Sequence, residues 1–172
     1  MKKVLTVFCF VFFLAVSGKS QTTVPIKFQE LVKRLIVDLP TQTPSTQLIN
    51  FAKTLIGIPY RYAASSPGKG FDCSGFVNYV FENFGFKVPR SSTEFPNAGE
   101  AVELDKAKVG DVLIFTGTNP KVRKIGHVGI IYAIDGDEIQ FIHATSGKAH
   151  GVTVTSLNAY YKSRYMKTVS IL

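Results

Sequence analysis

Residues 126–145 read GHVGIIYAIDGDEIQFIHAT, and they carry the strongest secondary-structure signal in the chain. Two runs of β-branched and aromatic residues, Gly126 to Ala133 and Glu138 to Thr145, flank the turn residues Asp135-Gly136-Asp137. Runs of this length around a glycine-containing turn are typical of a β-hairpin. The stretch therefore predicts an antiparallel sheet with this hairpin at its centre.

Both histidines of the hairpin are expected on one of its faces. A three-residue loop pairs Ile134 with Glu138, which places His127 opposite Thr145. His143 then lies two residues along on the same face, and such diagonal neighbours are about 7–8 Å apart at the backbone. One imidazole could thus act as a base while the other orients it. Each histidine taken singly is better explained as a satisfied or half-exposed strand residue, and it is the pair on one face that indicates a site.

The other predicted elements place helices before strands. Ser45 is expected to cap a first helix, and a second helix is expected from Cys73 to about Phe84. Further strands are predicted at Asp111 to Thr116 and, with weaker patterns, at Gly151 to Thr155 and Tyr165 to Leu172. This order predicts an α+β fold, with N-terminal helices packed on a central antiparallel β-sheet.

Residues 1–20 have the layout of a secretory signal peptide. Lys2 and Lys3 precede the apolar run Val4 to Val16, and small residues follow as far as Ser20. The apolar run is too short to span a bilayer comfortably, so no stable membrane anchor is expected. We expect an exported protein, periplasmic or extracellular and cell-wall associated, with an N-terminal arm at 21–44 and one domain at 45–172.

The net charge gives only weak information about partners. Without residues 1–20 the charge falls from +8 to +5, with 17 Lys and Arg against 12 Asp and Glu. Such a balance favours any anionic polymer, cell wall and nucleic acid alike. Because no arginine-rich run or Lys/aromatic alternation is present, nucleic-acid binding is not indicated.

Cys73 is the one cysteine that remains once Cys9 leaves with residues 1–20. An exported protein with a lone cysteine has no internal disulfide, and an unpaired thiol is a liability unless it is used. Asp72 is the expected N-cap, which places Cys73 in the first turn of a helix. The N–H groups and dipole there favour a thiolate and could stabilise an oxyanion.

Two other interpretations of these residues remain open from the pattern alone. Cys73 could be a buried, inert cysteine. Zinc could be bound by Cys73, His127 and His143, although the CxxC and HExxH spacings of many zinc sites are absent. His150, in a glycine-flanked loop, is expected to be solvated.

Six short motifs together resemble the NlpC-type peptidase family. They occur in the family's order within residues 45–172: Gly57-Ile-Pro-Tyr-Arg, Phe71-Asp-Cys-Ser-Gly-Phe-Val, Val88-Pro-Arg-Ser-Ser, Val109-Gly-Asp-Val-Leu-Ile-Phe, Gly126-His-Val-Gly-Ile and Phe141-Ile-His-Ala. Each motif alone is weakly specific, whereas the ordered set is highly specific. The resemblance implies a papain-like fold and cleavage of peptidoglycan stem peptides between D-glutamate and a diamino acid.

The resemblance also implies roles for individual residues. Cys73 matches the nucleophile, His127 the general base and His143 the polar residue that orients this base. Tyr60 falls where a family tyrosine positions the nucleophile or lines the oxyanion site, and it fits equally as a loop aromatic on the core.

Four further residues would support the site. Asp72 and Ser74 are expected to support the turn at the nucleophile, and Arg90 and Ser91 to border the cleft. The sequence departs from the family at Tyr62-Ala63-Ala64, where paired glycines are usual. This departure bears on substrate fit more than on chemistry.

The resulting prediction is a monomeric, exported cysteine endopeptidase that cleaves peptidoglycan stem peptides or muropeptides through an acyl-enzyme. No metal or organic cofactor is expected. An amidase or acyltransferase acting on another acyl substrate would carry the same three residues. A non-catalytic cell-wall-binding protein is the other alternative.

Overall fold

A six-stranded antiparallel sheet is the centre of the fold in a computed structural model, which describes residues 43–172. The predicted signal peptide and most of the predicted N-terminal arm lie outside these residues. In chain order the elements are α1 (Pro44–Lys53), β1 (Ser65–Ser66), β2 (Gly70–Phe71), α2 (Cys73–Glu82), β3 (Glu100–Val102), β4 (Val112–Thr116), β5 (Ile125–Asp135), β6 (Glu138–Thr145), β7 (Gly151–Ser156), α3 (Ala159–Arg164) and β8 (Tyr165–Ser170). Short 3₁₀ turns occupy Ser92–Asn97 and Leu104–Lys106.

The strand order in the large sheet is β3-β8-β4-β5-β6-β7, and every neighbouring pair is antiparallel. The predicted α+β class with a central antiparallel sheet is therefore confirmed. β1 and β2 form a separate two-stranded ribbon in the loop before α2, which the sequence did not predict. Within residues 43–172, no helix has the length and apolar character needed to cross a membrane.

Side chains alternate between the two faces of the sheet and bury a core on each. One face packs against α1 and α2 through a large cluster that includes Leu48, Phe76, Val80, Ile114, Val128, Ile130 and Ile142. The other face carries a smaller cluster of Leu113, Phe115, Ile131, Phe141 and Leu157, with Tyr161 and Tyr165 packed against it. Because each fully buried side chain of this size contributes about 1.5–3 kcal/mol, the larger cluster holds α2 firmly on the sheet.

The helix ends differ from two predictions. Thr43, not Ser45, caps α1, since its hydroxyl accepts a hydrogen bond from the Thr46 N–H at 3.2 Å. Ser45 lies inside the first turn. Helix α2 ends at Glu82, two residues before the predicted end, and the chain then turns through Gly85 at φ +82°.

The turn of the β5–β6 hairpin also differs from its prediction. Asp135 pairs with Glu138, so two residues form the turn instead of three, and Ile134 pairs with Ile139. Gly136 in the turn has φ +54°, a left-handed conformation that glycine adopts without strain.

A β-bulge in β5 compensates for this shorter turn. The register shifts by one residue between Ile131 and Ala133, and Ile131 pairs with Phe141. The inserted residue restores the register that a three-residue turn would have given. His127 and His143 therefore share a face as predicted, although the predicted turn was wrong.

Candidate functional site

Cys73 is the first residue of α2, where the helix end meets strand β5. The Asp72 carboxylate caps this helix and accepts the Gly75 N–H at 2.7 Å. A side chain at position 75 would collide with the Ala64 carbonyl oxygen, so only glycine fits at this position of the turn that carries Cys73. The predicted cap and the predicted place of Cys73 in the first turn are both confirmed.

The thiol of Cys73 is mostly buried, with 9% of the residue exposed. Burial is the main cause that raises its pKa, and the Asp72 carboxylate adds to the effect. Backbone N–H groups of Val128, Ser74 and Cys73 itself act in the opposite direction but are outweighed. The N–H groups at the helix end thus favour the thiolate as expected, but burial and Asp72 outweigh them and the pKa of Cys73 is raised overall.

His127 and His143 form a direct hydrogen bond. Nε2 of His127 lies 2.8 Å from Nδ1 of His143, and Nε2 of His143 lies 2.9 Å from the Thr155 hydroxyl. His143 is fully buried and His127 is 8% exposed. The rings pack among Phe115, Phe141 and Tyr161, which hold their planes. The predicted pairing of the two rings is thus present as a bond, with Nδ1 of His127 left for the cleft.

The pKa values of both histidines are lowered. Burial lowers the pKa of His143 to about 3, with the nearby Arg164 charge as a second cause. Burial also lowers the pKa of His127 well below its ordinary value, and His143 and Arg164 add to that shift. Cys73 and His127 therefore rest as a neutral thiol and a neutral imidazole.

The geometry of the histidines does not support the zinc alternative. Nε2 of His127 and Nδ1 of His143 bond each other, so neither is directed at a metal shared with Cys73. Within residues 43–172, no group of three or more His, Cys, Asp or Glu side chains is arranged to hold a metal ion.

Arg90 braces the turn that carries Cys73. Its guanidinium donates to both carboxylate oxygens of Asp72, at 2.9 and 2.7 Å, and to the Ser74 hydroxyl at 3.1 Å. A further bond reaches the Ala64 carbonyl at 3.2 Å. Ser91 follows in the chain and lines the cleft, with its hydroxyl 2.9 Å from that of Thr93. The structure thus brings all four predicted supporting residues to the site.

Tyr60 lies beside Cys73 and is partly buried. Burial raises the pKa of its phenol, with the nearby Cys73 and Asp72 as further causes. The Tyr60 N–H donates to the His150 carbonyl at 2.9 Å, and the Tyr60 ring also packs against the main core. Tyr60 therefore contacts the core and borders the cleft, and its role in positioning the nucleophile or the oxyanion stays a prediction. His150 is exposed, as its loop position predicted.

Two cavities meet at Cys73. The first has a volume of about 780 Å³ and extends over His127 towards Thr145, Tyr161 and Arg164. The second, of about 510 Å³, extends the other way. Its walls include Tyr62, Asp72, Ser74, Arg90, Ser91, Ser92 and Glu94. An extended peptide crossing the thiol could therefore place residues on both sides of a scissile bond.

Three residues of the site were not found from the sequence. Thr155 forms a hydrogen bond with His143, and the Tyr161 ring packs against both histidine rings. Arg164 is buried, with 5% of the residue exposed, and its charge acts on both histidines. Arg164 donates to the carbonyls of Thr116 and Gly117, which fixes the β4–β5 connection. Helix α3 has only six residues, too few to show an amphipathic period.

Comparisons with known proteins agree with this arrangement. The family model described as NlpC/P60 matches residues 57–170. Gamma-DL-glutamyl hydrolase of Bacillus subtilis is 38% identical over 124 residues, which is 71% of this chain and 28% of that protein. Murein DD-endopeptidase MepS/Murein LD-carboxypeptidase of Escherichia coli is 36% identical over 119 residues, 67% of this chain and 57% of that protein.

A solved structure shows the same fold. The crystal structure of a NlpC/P60 family protein from Bacillus cereus matches with a TM-score of 0.66 and 30% identity, covering 76% of this chain and 41% of that one. The chain therefore spans between 28% and 57% of the length of these three relatives. With the family model, the ordered motifs and the shared fold in agreement, this chain belongs to the NlpC/P60 family.

Proposed function

We propose that this protein is a cysteine peptidase that hydrolyses the peptide stems of peptidoglycan. The observation that carries the proposal is the meeting, in one cavity, of Cys73 at a helix N-terminus and His127, whose far nitrogen bonds His143. Two relatives, a murein endopeptidase and a gamma-DL-glutamyl hydrolase, support the substrate class.

The chemistry begins from a neutral pair. The Cys73 S–H bond breaks as its proton moves to Nδ1 of His127, and the sulfur attacks the carbonyl carbon of the scissile amide. Collapse of the tetrahedral intermediate breaks the C–N bond, and His127 returns the proton to the leaving amine. Water, deprotonated by His127, then attacks the thioester carbonyl; the C–S bond breaks, the acid product leaves, and His127 returns the proton to the Cys73 sulfur. No step requires a metal or an organic cofactor.

Backbone donors at the start of α2 serve the oxyanion. The Gly75 N–H is taken by Asp72, whereas the N–H groups of Cys73 and Ser74 act on the sulfur and lower its pKa. These two donors point to where negative charge develops during attack. Tyr60 borders the same space and positions the reacting carbonyl or its oxyanion.

For the scissile bond we propose the link between D-glutamate and the diamino acid. A γ-linked glutamyl residue keeps a free α-carboxylate beside that bond. The second cavity presents the hydroxyls of Ser91 and Ser92, which can donate to that carboxylate. Arg90 lines the same cavity, although its charge is already paired with Asp72. The diamino acid would then occupy the first cavity.

The test is mass spectrometry of defined muropeptides incubated with the protein without residues 1–20. New fragments ending at D-glutamate are expected from wild type and from His150→Asn, which alters a histidine outside the bonded pair. Cys73→Ala and His127→Ala are expected to give none. Fragments formed by Cys73→Ala at the wild-type rate would refute the proposed nucleophile. No fragments from folded wild type would favour another acyl substrate or a binding role.

Export is part of the same proposal. The basic start and apolar run of residues 1–20 support cleavage near Ser20 and release to the periplasm or the cell surface. N-terminal sequencing of protein expressed from the whole chain in a bacterial host should begin near Gln21. A mature protein that still starts at Met1 inside the cell would contradict export.

A further inference from the structure

Thr155 extends the line of hydrogen bonds that starts at His127. It lies on β7, whose pairing with β6 places Thr155 opposite Phe141 and Thr153 opposite His143. The Thr155 hydroxyl is thus a diagonal neighbour of His143 on the same face, 2.9 Å from its Nε2. Three groups in a row, His127, His143 and Thr155, are therefore linked through both rings.

Two arrangements of protons are possible along this line. In the first, His127 donates from Nε2 to Nδ1 of His143, and His143 donates from Nε2 to the Thr155 oxygen. In the second, every donor and acceptor is reversed, so Thr155 donates to His143 and the remaining proton of His127 sits on Nδ1. Only the first arrangement leaves Nδ1 of His127 free to take a proton from Cys73.

Proton transfer from Cys73 removes the second arrangement altogether. Once His127 holds protons on both nitrogens, it must donate from Nε2, and Nδ1 of His143 must accept. The proton of neutral His143 is then on Nε2, and the Thr155 oxygen must accept it. The bond to Thr155 is therefore required in the state in which the reaction occurs.

No other side chain in residues 43–172 forms a hydrogen bond to Nε2 of His143, and the ring itself is fully buried. Without the hydroxyl, the catalytic arrangement would leave a buried N–H unpaired, which is costly. Burial also lowers the pKa of His143 to about 3, so this ring relays the bond as a neutral group and does not hold a second proton.

We propose that Thr155 is a positioning residue for catalysis: its hydroxyl accepts from Nε2 of His143 and thereby fixes the protonation pattern in which Nδ1 of His127 is the base. The inference rests on the proposed peptidase function. Thr155 touches neither the scissile bond nor the sulfur in this role, and it acts only through the two rings.

The test compares Thr155→Val, which keeps the branched shape, with Thr155→Ser, which keeps the hydroxyl. For Thr155→Val we expect kcat on a muropeptide to fall about tenfold with KM unchanged, the scale of one hydrogen bond needed mainly in the transition state. Thr155→Ser should recover most of the rate. Equal kcat values in wild type and Thr155→Val would overturn the inference, as would equal losses in both variants.

A second measurement does not depend on activity. Nitrogen spectra of ¹⁵N-histidine-labelled protein report which ring nitrogen of each histidine carries its proton. Wild type should show protons on Nε2 of His127 and of His143, and Thr155→Val should shift both away from this pattern. Thr153→Val, the matched change at the neighbouring same-face position of β7, should leave the spectrum unchanged.

The two measurements separate the possible failures. If wild type cleaves no muropeptide, the proposed function fails while the spectra still decide the protonation pattern. If wild type cleaves and the spectrum of Thr155→Val matches that of wild type, the role of Thr155 fails alone.

Discussion

Acidification should unfold this protein through its buried histidines. The pKa of His143 is about 3 in the folded state against 6.5 for an ordinary histidine. Because the folded pKa lies below the unfolded one, the contribution of His143 is complete above pH 6.5 and is lost as the pH falls. From pH 6.5 to 5, residue 143 binds a proton in the unfolded chain, whereas His143 stays neutral in the folded protein. At 1.36 kcal/mol per pH unit, this difference lowers the free energy of unfolding by about 2 kcal/mol.

Urea denaturation at pH 7.5 and pH 5 measures this loss. Since the sequence contains no Trp, circular dichroism is the suitable signal. Wild type should lose about 2 kcal/mol more than His143→Gln over this interval. His150→Asn should lose as much as wild type, because residue 150 is exposed and asparagine tolerates its φ of +45°. Equal losses in wild type and His143→Gln would show that the folded protein protonates His143 readily, and would refute the reasoning.

Three shorter predictions concern the nucleophile and its supports. Because burial raises the Cys73 pKa, alkylation by iodoacetamide should be slow at pH 7, and its rate should rise about tenfold per pH unit up to pH 8.5. A rate that does not change with pH would indicate a thiolate in the resting protein. Gly129→Ala would place a Cβ 2.6 Å from the Phe141 ring and 3.1 Å from the His143 Cβ. The free energy of unfolding should therefore fall by about 1–3 kcal/mol, and kcat should drop. Wild-type values of both quantities would contradict this packing. Arg90→Met removes the bidentate partner of the buried Asp72 carboxylate, and we expect a loss of about 1–2 kcal/mol in urea denaturation, discounted for the exposure of Arg90. An unchanged midpoint would show that the ion pair contributes nothing.

The bonded histidine pair could be predicted from the sequence because the side chains of alternate residues in a strand lie on the same face, and two compensating errors in the predicted register leave that face unchanged. The predicted hairpin had one turn residue too many, and the real β5 has one bulge residue that was not predicted. The shorter turn and the bulge shift the register in opposite directions, so the pairing near His127 is the one that was predicted. Asp72 and Cys73 were predictable for another reason, since capping depends on a few adjacent residues.

The electrostatic state of the site could not be predicted in the same way. The local sequence shows the helix end that favours a thiolate, but it does not show how deeply Cys73 is buried. Arg164 and Tyr161 come from a six-residue helix with no readable period, and Thr155 stands on a strand whose pattern was weak. Their contribution depends on how distant strands align, which only tertiary packing determines.

Mutual attraction of the charges formed on Cys73 and His127 explains how a site with such low histidine pKa values can still transfer a proton. No carboxylate within residues 43–172 pairs with Arg164, so its charge acts on both rings and opposes a lone imidazolium. Proton transfer, however, creates a thiolate together with that imidazolium, and these two opposite charges attract each other across the cleft. The pKa of His127 alone therefore overstates the cost of the catalytic step. A neutral resting pair also avoids holding a desolvated ion pair before substrate arrives. Charge separation then occurs mainly when a carbonyl is in place to accept the negative charge.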